Sequence, residues 1–491
     1  MTGKLMGEGD DSEQDRPLGE RIASNPRPAA VWALGLLLLL VVEIGALLQG
    51  TIELGQFVAG VLPGEFGLAV LNAAKGIADT IPTLLSRETI PNQGYRVAAE
   101  GPWEETFLGL EPALAWAVRV IAVYLYVFVF LGWLWKGYLT FRRHYRQADW
   151  TPKDDMVDRL RGHRWGQFGL IIVIMFVTMA LFAPTLGPTT VESNIMSPYS
   201  NEITYFDEDT GEPQDVIVGV ANVQSRSVGA GDRNVGPMSY DEFDRFHPFG
   251  TTTNGKDLFT FMAHGARISL TIGVVSMGLA GAIALAMALI SAYYKGLTDL
   301  LIVISSDSIQ ALPVFLVLIL ASVVFAQTWL AQLWNGAILL IILFALIRWP
   351  YLWRAIRGPT FQISEREWID AAKSFGQKPR VIMRKHMAPY VIGYLLVYGS
   401  MSLGGVIIAV AGLSFLGLGI APPTPEWGRA IDEGQRYVAT QSWHISLIPG
   451  ILITLVVTAF NALGDGIRDA IDPESEGGKS EEAGAAGGAG A

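Results

Sequence analysis

The chain has 491 residues, of which 51% are hydrophobic and only 16% charged, well below the quarter or so of charged residues common in soluble domains. It contains no cysteine, which excludes disulfides, thiolate zinc sites, iron–sulfur clusters and a thiol nucleophile. The net charge of −11 is spread over tails and loops, a balance that also suits a salt-adapted protein, and nucleic acid is not an expected partner.

The apolar residues gather in blocks of roughly 20, the length a helix needs to cross the hydrocarbon core at about 1.5 Å per residue. The expected fold class is therefore an all-α polytopic membrane protein with eight spans, surrounded by membrane lipid. A polar tail, 1–28, leads into the first span, 29–49, which reads as a true span and not as a cleavable signal. Glu43 lies within it. A long external loop rich in Gly and Pro, 50–111, separates it from the second span, 112–135. Arg119 in that span is near enough to an end to snorkel, and a mutual pair with Glu43 is the other reading.

Next comes a loop holding Lys136, Arg142, Arg143, Arg146, Lys153, Arg159, Arg161 and Arg164, which the excess of basic residues assigns to the cytoplasm. The third span, 167–184, is followed by an external loop, 185–262, poor in basic residues and carrying Asp207, Glu208, Asp209, Glu212 and Asp215. The fourth span, 264–292, and the fifth, 300–325, are joined by a tight cytoplasmic turn at Lys295-Gly296. Within the fifth, Asp307, Gln310 and Pro313 follow one another at helical spacing and suit either a substrate pathway or packing. The sixth span, 332–349, leads into a basic cytoplasmic loop, 350–390, and the seventh and eighth spans cover 391–413 and 445–463. Both termini then lie in the cytoplasm. Gly278, Gly281, Gly404, Gly405 and Gly412, with Ala409 and Ala411, suit close helix packing, and Trp133, Trp135, Trp349 and Trp353 fit an interfacial belt.

These assignments divide the chain into the tail 1–28, a two-helix extension 29–165, a six-helix core 166–472, and an acidic, Gly/Ala-rich tail 473–491 expected to be disordered. No heptad pattern or tandem repeat is evident. His144, His163, His247, His264, His386 and His444 show no HxxxH or HExxH spacing, so no metal site is expected.

The loop 350–390 is the most informative stretch. Ser364-Glu365-Arg366-Glu367 has the form of a capping box, with Ser364 accepting from the amide of Glu367 and Glu367 reaching back. A short helix is expected through Trp368, Ile369, Asp370, Ala371, Ala372 and Phe375, ended by Gly376 in a left-handed conformation. Pro379 suits the first turn of a second helix, and Pro389 marks a break before the next span. The resulting hairpin is too polar to lie in lipid and is suited to a groove on a soluble partner.

The spacing from Asp370-Ala371-Ala372 to Gly376 and on to Pro389 resembles the EAA loop of ABC importer permeases, with Asp370 for Glu, His386 for Ile and Ala388 for Leu. His247-Pro248-Phe249-Gly250-Thr251 followed by Gly255-Lys256-Asp257 resembles an external segment of dipeptide and oligopeptide permeases, with Thr252 and Lys256 standing where that family has Asp and Arg. Gly265-Ala266-Arg267-Ile268-Ser269-Leu270, Leu413-Ser414-Phe415-Leu416-Gly417-Leu418-Gly419, Pro422-Pro423-Thr424-Pro425-Glu426-Trp427-Gly428 and Asn461-Ala462-Leu463-Gly464-Asp465 are similar to further segments of the same family. The resemblance covers roughly 165 to 473 and points to the second, C-type, permease of the dipeptide/oligopeptide (nickel) group.

That resemblance implies a six-helix type I core in the cytoplasmic membrane, paired with a second permease subunit as a heterodimer. Two ABC ATPase subunits and an extracytoplasmic solute-binding protein would complete the system. Glu367, Asp370, Ala371, Ala372, Gly376, His386 and Pro389 would couple the chain to its ATPase, and Asp307, Gln310 and Pro313 would belong to the pathway. The chain itself would be no enzyme and bind no cofactor, ATP and Mg being used by the partner. Peptide is the implied cargo, with nickel, glutathione and oligosaccharides as alternatives. An ion-coupled secondary transporter is the reading from another class.

Overall fold

The computed structural model describes residues 17–45, 48, 52, 83, 85–98, 101–148 and 150–471. The tail 473–491, most of the tail 1–28, most of the loop 50–111 and the last turn of the expected first span lie outside these residues. The chain forms two compact units, Met1–Asp154 and Asp155–Ala491.

The first unit is built on α1 (Leu18–Ser24), α2 (Pro26–Val42) and α3 (Pro112–His144). Pro26 and Pro112 each open their helix at a position where the missing N–H costs nothing. α2 and α3 are locked by a reciprocal pair. The Trp32 Nε1–H donates to the carbonyl of Trp133 at 3.1 Å, and the Trp133 Nε1–H donates to that of Trp32 at 3.0 Å. Gly35 and Gly137 supply the space, since a Cβ at either would collide with the opposite indole. Arg119 does not snorkel. It is wholly buried, donating to the carbonyl of Ile90 at 2.7 Å and to Asn92 Oδ1 at 2.6 Å, because the segment 90–92 folds over it and satisfies the charge locally. At the other end Arg146 clamps Asp154 through two hydrogen bonds.

The second unit contains α4 (Arg164–Leu181), α5 (Leu258–Tyr294), α6 (Gly296–Gln310), α7 (Val314–Phe325), α8 (Ala337–Ser364), α9 (Glu367–Ser374), α10 (Ala388–Phe415), α11 (Trp427–Gly434) and α12 (His444–Ile471). Asp257 caps α5, its Oδ1 accepting the Thr260 amide at 2.6 Å. The turn at the far end of α5 forms as expected, with Lys295 at φ 52° and Gly296 at φ 53°.

Six helices among the described residues are long and apolar enough to cross a membrane, and up to eight if each bent pair counts as one span. One bend lies inside the expected fifth span, 300–325, and the other at residue 25, ahead of the expected first span, 29–49. α1 and α2 meet at 100°, and α6 and α7 at 80°. At the second break Pro313 has no N–H to continue the ladder and pushes Leu312 away from helical geometry. Several helices also outrun their apolar blocks. α5 spans 37 residues, about 55 Å by helical rise against a hydrocarbon core of about 30 Å.

The core of this unit joins α5, α8 and α10 through Ile272, Ala280, Ala284, Leu340, Phe344, Trp353, Ile356, Val406 and Val410. Trp349 and Trp353, expected at a membrane interface, belong to this core instead, at 8% and 1% exposure. They face inward because α8 is covered by α5 along that side. Small residues do let helices meet: at Gly404 the nearest atom to an added Cβ is Val457 Cα, and at Gly169 a side chain would strike the backbone of α12. Gly278, by contrast, faces open space. Trp427 of α11 is fully buried, donates from Nε1 to the Met262 carbonyl at 2.7 Å and stacks edge-on to Phe176 of α4.

Between α4 and α5 the chain forms two antiparallel hairpins. β1 (Glu202–Asp207) pairs with β2 (Glu212–Ile217), in register from Glu202↔Ile217 to Asp207↔Glu212. β3 (Ser239–Tyr240) pairs with β4 (Phe246–His247).

Candidate functional site

The hairpin begins where α8 ends. The expected capping box is not formed. Ser364 is buried as the last residue of α8, with its Oγ–H donating back to the Phe361 carbonyl at 2.7 Å. A serine bonded to its own preceding turn continues a helix instead of opening the next one. α9 starts instead after Arg366 in extended geometry, with no side-chain cap, while Glu365 pairs with Lys295 at 3.1 Å.

α9 is amphipathic. Ile369 and Ala372, three residues apart and so on one face, are buried against Leu289 and Ala292 from the end of α5 and against Ile382, Met387 and Ala388. The opposite face is exposed: Glu367, Asp370, Ala371 and Phe375 point away from the protein, Phe375 with 86% of its surface open. The three-residue motif is therefore divided, Asp370 and Ala371 outward and Ala372 inward. Lys373 bridges the faces, 3.0 Å from Asp370 and over the ring of Tyr293.

Gly376 ends α9 as expected, at φ 72°. Its amide bonds the Lys373 carbonyl at 2.9 Å, and the Gln377 amide bonds that of Ala372 at 3.2 Å, the Schellman arrangement. Pro379 opens the second helix, and His386 Nε2 lies 3.0 Å from Gln377 Oε1, tying that helix to the turn. Pro389 makes no break. The helical path continues from Pro379 through a π-turn at Ile382–Met387 into α10. The wider turn accommodates the donor that Pro389 lacks. The inward role of Ile369 and Ala372, and the floor that α5 gives them, were not recognised from sequence, although their spacing carries the signal.

Asp307, Gln310 and Pro313 lie together elsewhere, on the broken α6–α7 segment. Asp307 is half-exposed and paired with Arg354 of α8, a partner that sequence reading missed. Gln310 donates to Ser306 Oγ at 2.9 Å, and Pro313 stands at the break. One turn from the end of α8's basic stretch, Arg357 is likewise paired, with Asp299.

A second polar centre lies in the segment before α5. Asp241 Oδ2 accepts from Arg245 Nε at 2.7 Å and Ser225 Oγ at 2.8 Å. His247 sits between two carboxylates, Nδ1 2.8 Å from Asp257 and Nε2 3.2 Å from Asp241. Burial works against the charge on both Asp241 and His247. The Arg245 and His247 charges nevertheless hold Asp241 well below the usual carboxylate range, and the two carboxylates raise His247 above its ordinary value. Thr252 shapes the adjoining turn, its Oγ1 accepting the amides of Asn254 and Lys256. Among the described residues, no group of three or more His, Asp or Glu side chains is arranged to hold a metal ion.

Comparison with known proteins gives two matching families. The binding-protein-dependent transport system inner membrane component matches residues 280–476, and the N-terminal TM domain of oligopeptide transport permease C matches residues 151–202. The chain is also similar to the glutathione transport system permease proteins of Shigella dysenteriae serotype 1, Escherichia coli O157:H7 and Shigella sonnei. Each is 31% identical over 327 residues, covering 67% of this chain and 92% of the relative.

Proposed function

Because the chain belongs to the family of binding-protein-dependent transport system inner membrane components, we propose that it is the second permease of a small-peptide importer and that α9 is where its ATPase docks. As a dipeptide/oligopeptide-type ABC permease subunit, it is a non-catalytic, multi-pass membrane protein working with a separate ATPase and a substrate-binding protein. On this reading ATP and Mg are used by that partner, a second permease completes a heterodimer, and the basic hairpin and both termini face the cytoplasm. The relatives are named for glutathione, itself a tripeptide, so a small peptide is the cargo class that accommodates both the matched permease type and the relatives.

The observation that carries the docking reading is the two-sidedness of α9. Its inner face is fixed to the end of α5, while Phe375, Asp370, Ala371 and Glu367 are presented outward, with nothing among the described residues covering Phe375. An exposed aromatic on a rigid, polar helix is the form of an interface anchor. Gly376, His386 and Pro389 then act by holding the anchor in place. In the same reading, Asp307, Gln310 and Pro313 belong to the pathway, supported by the half-exposed Asp307–Arg354 pair, which lipid would not tolerate cheaply.

The test is co-purification in detergent with the ABC ATPase subunits co-expressed with this chain. Wild type is expected to retain the ATPase, and Phe375→Asp to lose it while keeping its melting temperature, since Phe375 contributes almost nothing to the core. Retention of the ATPase by Phe375→Asp would move the docking surface elsewhere.

A further inference from the structure

α8 carries three arginines, and they do not have equal fates. Arg354 and Arg357 each meet an aspartate of α6, Asp307 and Asp299. Arg348, six residues deeper, makes no hydrogen bond or ion pair among the described residues, and its Nε is buried without a partner. It turns toward α10, where the absent side chain of Gly405 leaves room: Arg348 Nη2 lies 3.5 Å from the position a Cβ would take there.

Among the described residues, no free carboxylate on the neighbouring helices can neutralise it. α5, α7, α8 and α10 contain no Asp or Glu at all, and both aspartates of α6 are already engaged. Nor can it escape to a membrane surface. Eleven residues separate Ala337 from Arg348 and ten separate Gly405 from Phe415, so both helices place the guanidinium about 15–17 Å from their outer ends. That is close to the middle of a hydrocarbon core about 30 Å thick. A half-buried, unpaired guanidinium at that depth is too costly to face lipid, so its open side faces either water or another protein. Tyr351, one turn along α8 and 48% exposed, extends the same polar surface.

We propose that Arg348 recognises a carboxylate of the cargo midway through the membrane, making it a specificity-determining residue of this permease. The planar guanidinium offers paired donors that match a carboxylate, and it is the only one of the three arginines on α8 whose donors are not already taken by an aspartate of this chain. Cargo carrying a free carboxylate gains a charge-assisted hydrogen bond in transit, and cargo lacking one leaves the guanidinium uncompensated. This rests on the small-peptide reading above.

The experiment uses the full complex, with ATPase, second permease and binding protein, in proteoliposomes. ATP-driven uptake of glutathione is compared with uptake of its diamide, in which both carboxylates are blocked, for wild type, Arg348→Gln and Arg348→Lys. Because the binding protein is the same throughout, its own preference cancels in the ratio between variants. Arg348→Gln is expected to lower glutathione uptake about tenfold or more, the size of a lost charge-assisted hydrogen bond, and to lower diamide uptake less than about twofold. Arg348→Lys is expected to restore part of the difference. Equal losses for both cargoes, or none, would overturn the role of Arg348 and leave the importer reading standing. Loss of the second permease from the Arg348→Gln complex on size exclusion would also overturn it, assigning the guanidinium to an acidic residue of that subunit. Wild type importing neither compound would refute the small-peptide reading itself, and the role of Arg348 with it.

Discussion

His247 shows how much can depend on one proton. Its affinity for that proton is raised in the folded protein above the ordinary value of 6.5 by Asp241 and Asp257, although burial opposes the charge. The stability this contributes is complete below 6.5 and is lost as pH rises through the higher folded value. Thermal unfolding of the purified protein is therefore expected to become easier as pH is raised from neutral toward alkaline, with the segment 239–257 the first to become protease-sensitive. His247→Ala should abolish that dependence. It should also cost about 3 kcal/mol, the range for removing one partner from a buried charged group, because Asp257 is then left buried without its charged partner while Asp241 keeps Arg245. His247 and Asp257 stand out in the sequence as parts of one segment, but only the fold reveals that Ser225, Asp241 and Arg245 join them.

Among elements, α11 has the most concentrated contribution for its length. Trp427 fills the junction of α4 and α5 and gives its indole N–H to Met262. Trp427→Ala is expected to destabilise the protein by about 3–5 kcal/mol, measured as a lowered melting temperature in detergent, whereas Trp427→Phe should lose chiefly the hydrogen bond, about 1 kcal/mol. The hairpin after α8 was the element most fully legible beforehand. Gly376, Pro379 and the short helix before them act through local rules of backbone geometry, and local rules can be read from a string of residues. The start of that helix was not legible. Whether Ser364 caps forward or bonds backward depends on whether α8 still continues, and α8 continues because of its packing on α5. The same reason explains Trp349 and Trp353: an aromatic near the end of an apolar run looks interfacial until a neighbouring helix is known to extend past it. Helix lengths were likewise understated, since hydropathy marks where lipid ends and not where the hydrogen-bond ladder ends.

At the scale of the whole molecule, the eight apolar blocks and the family were legible, and the bends at 25 and 311–313 were only half so. Pro313 announces a break, but not an angle. The matched families cover 151–202 and 280–476, and the division of the chain near Asp154 agrees with two helices added in front of a permease core, the arrangement we propose for residues 29–165. Within the core, α5 has a peculiarity of construction. It runs 37 residues without a proline. One end is pinned by Asp257, the same carboxylate that holds His247. The other is packed, through Leu289 and Ala292, against the inner face of α9. On the docking role proposed for α9, such a member is expected to work as a push-rod, carrying a stroke from α9 to the opposite rim. Amide hydrogen exchange in 239–257 should therefore change when nucleotide is added to the assembled transporter, and Ile369→Ala, which loosens the seat of the rod, should uncouple that response while leaving nucleotide binding intact.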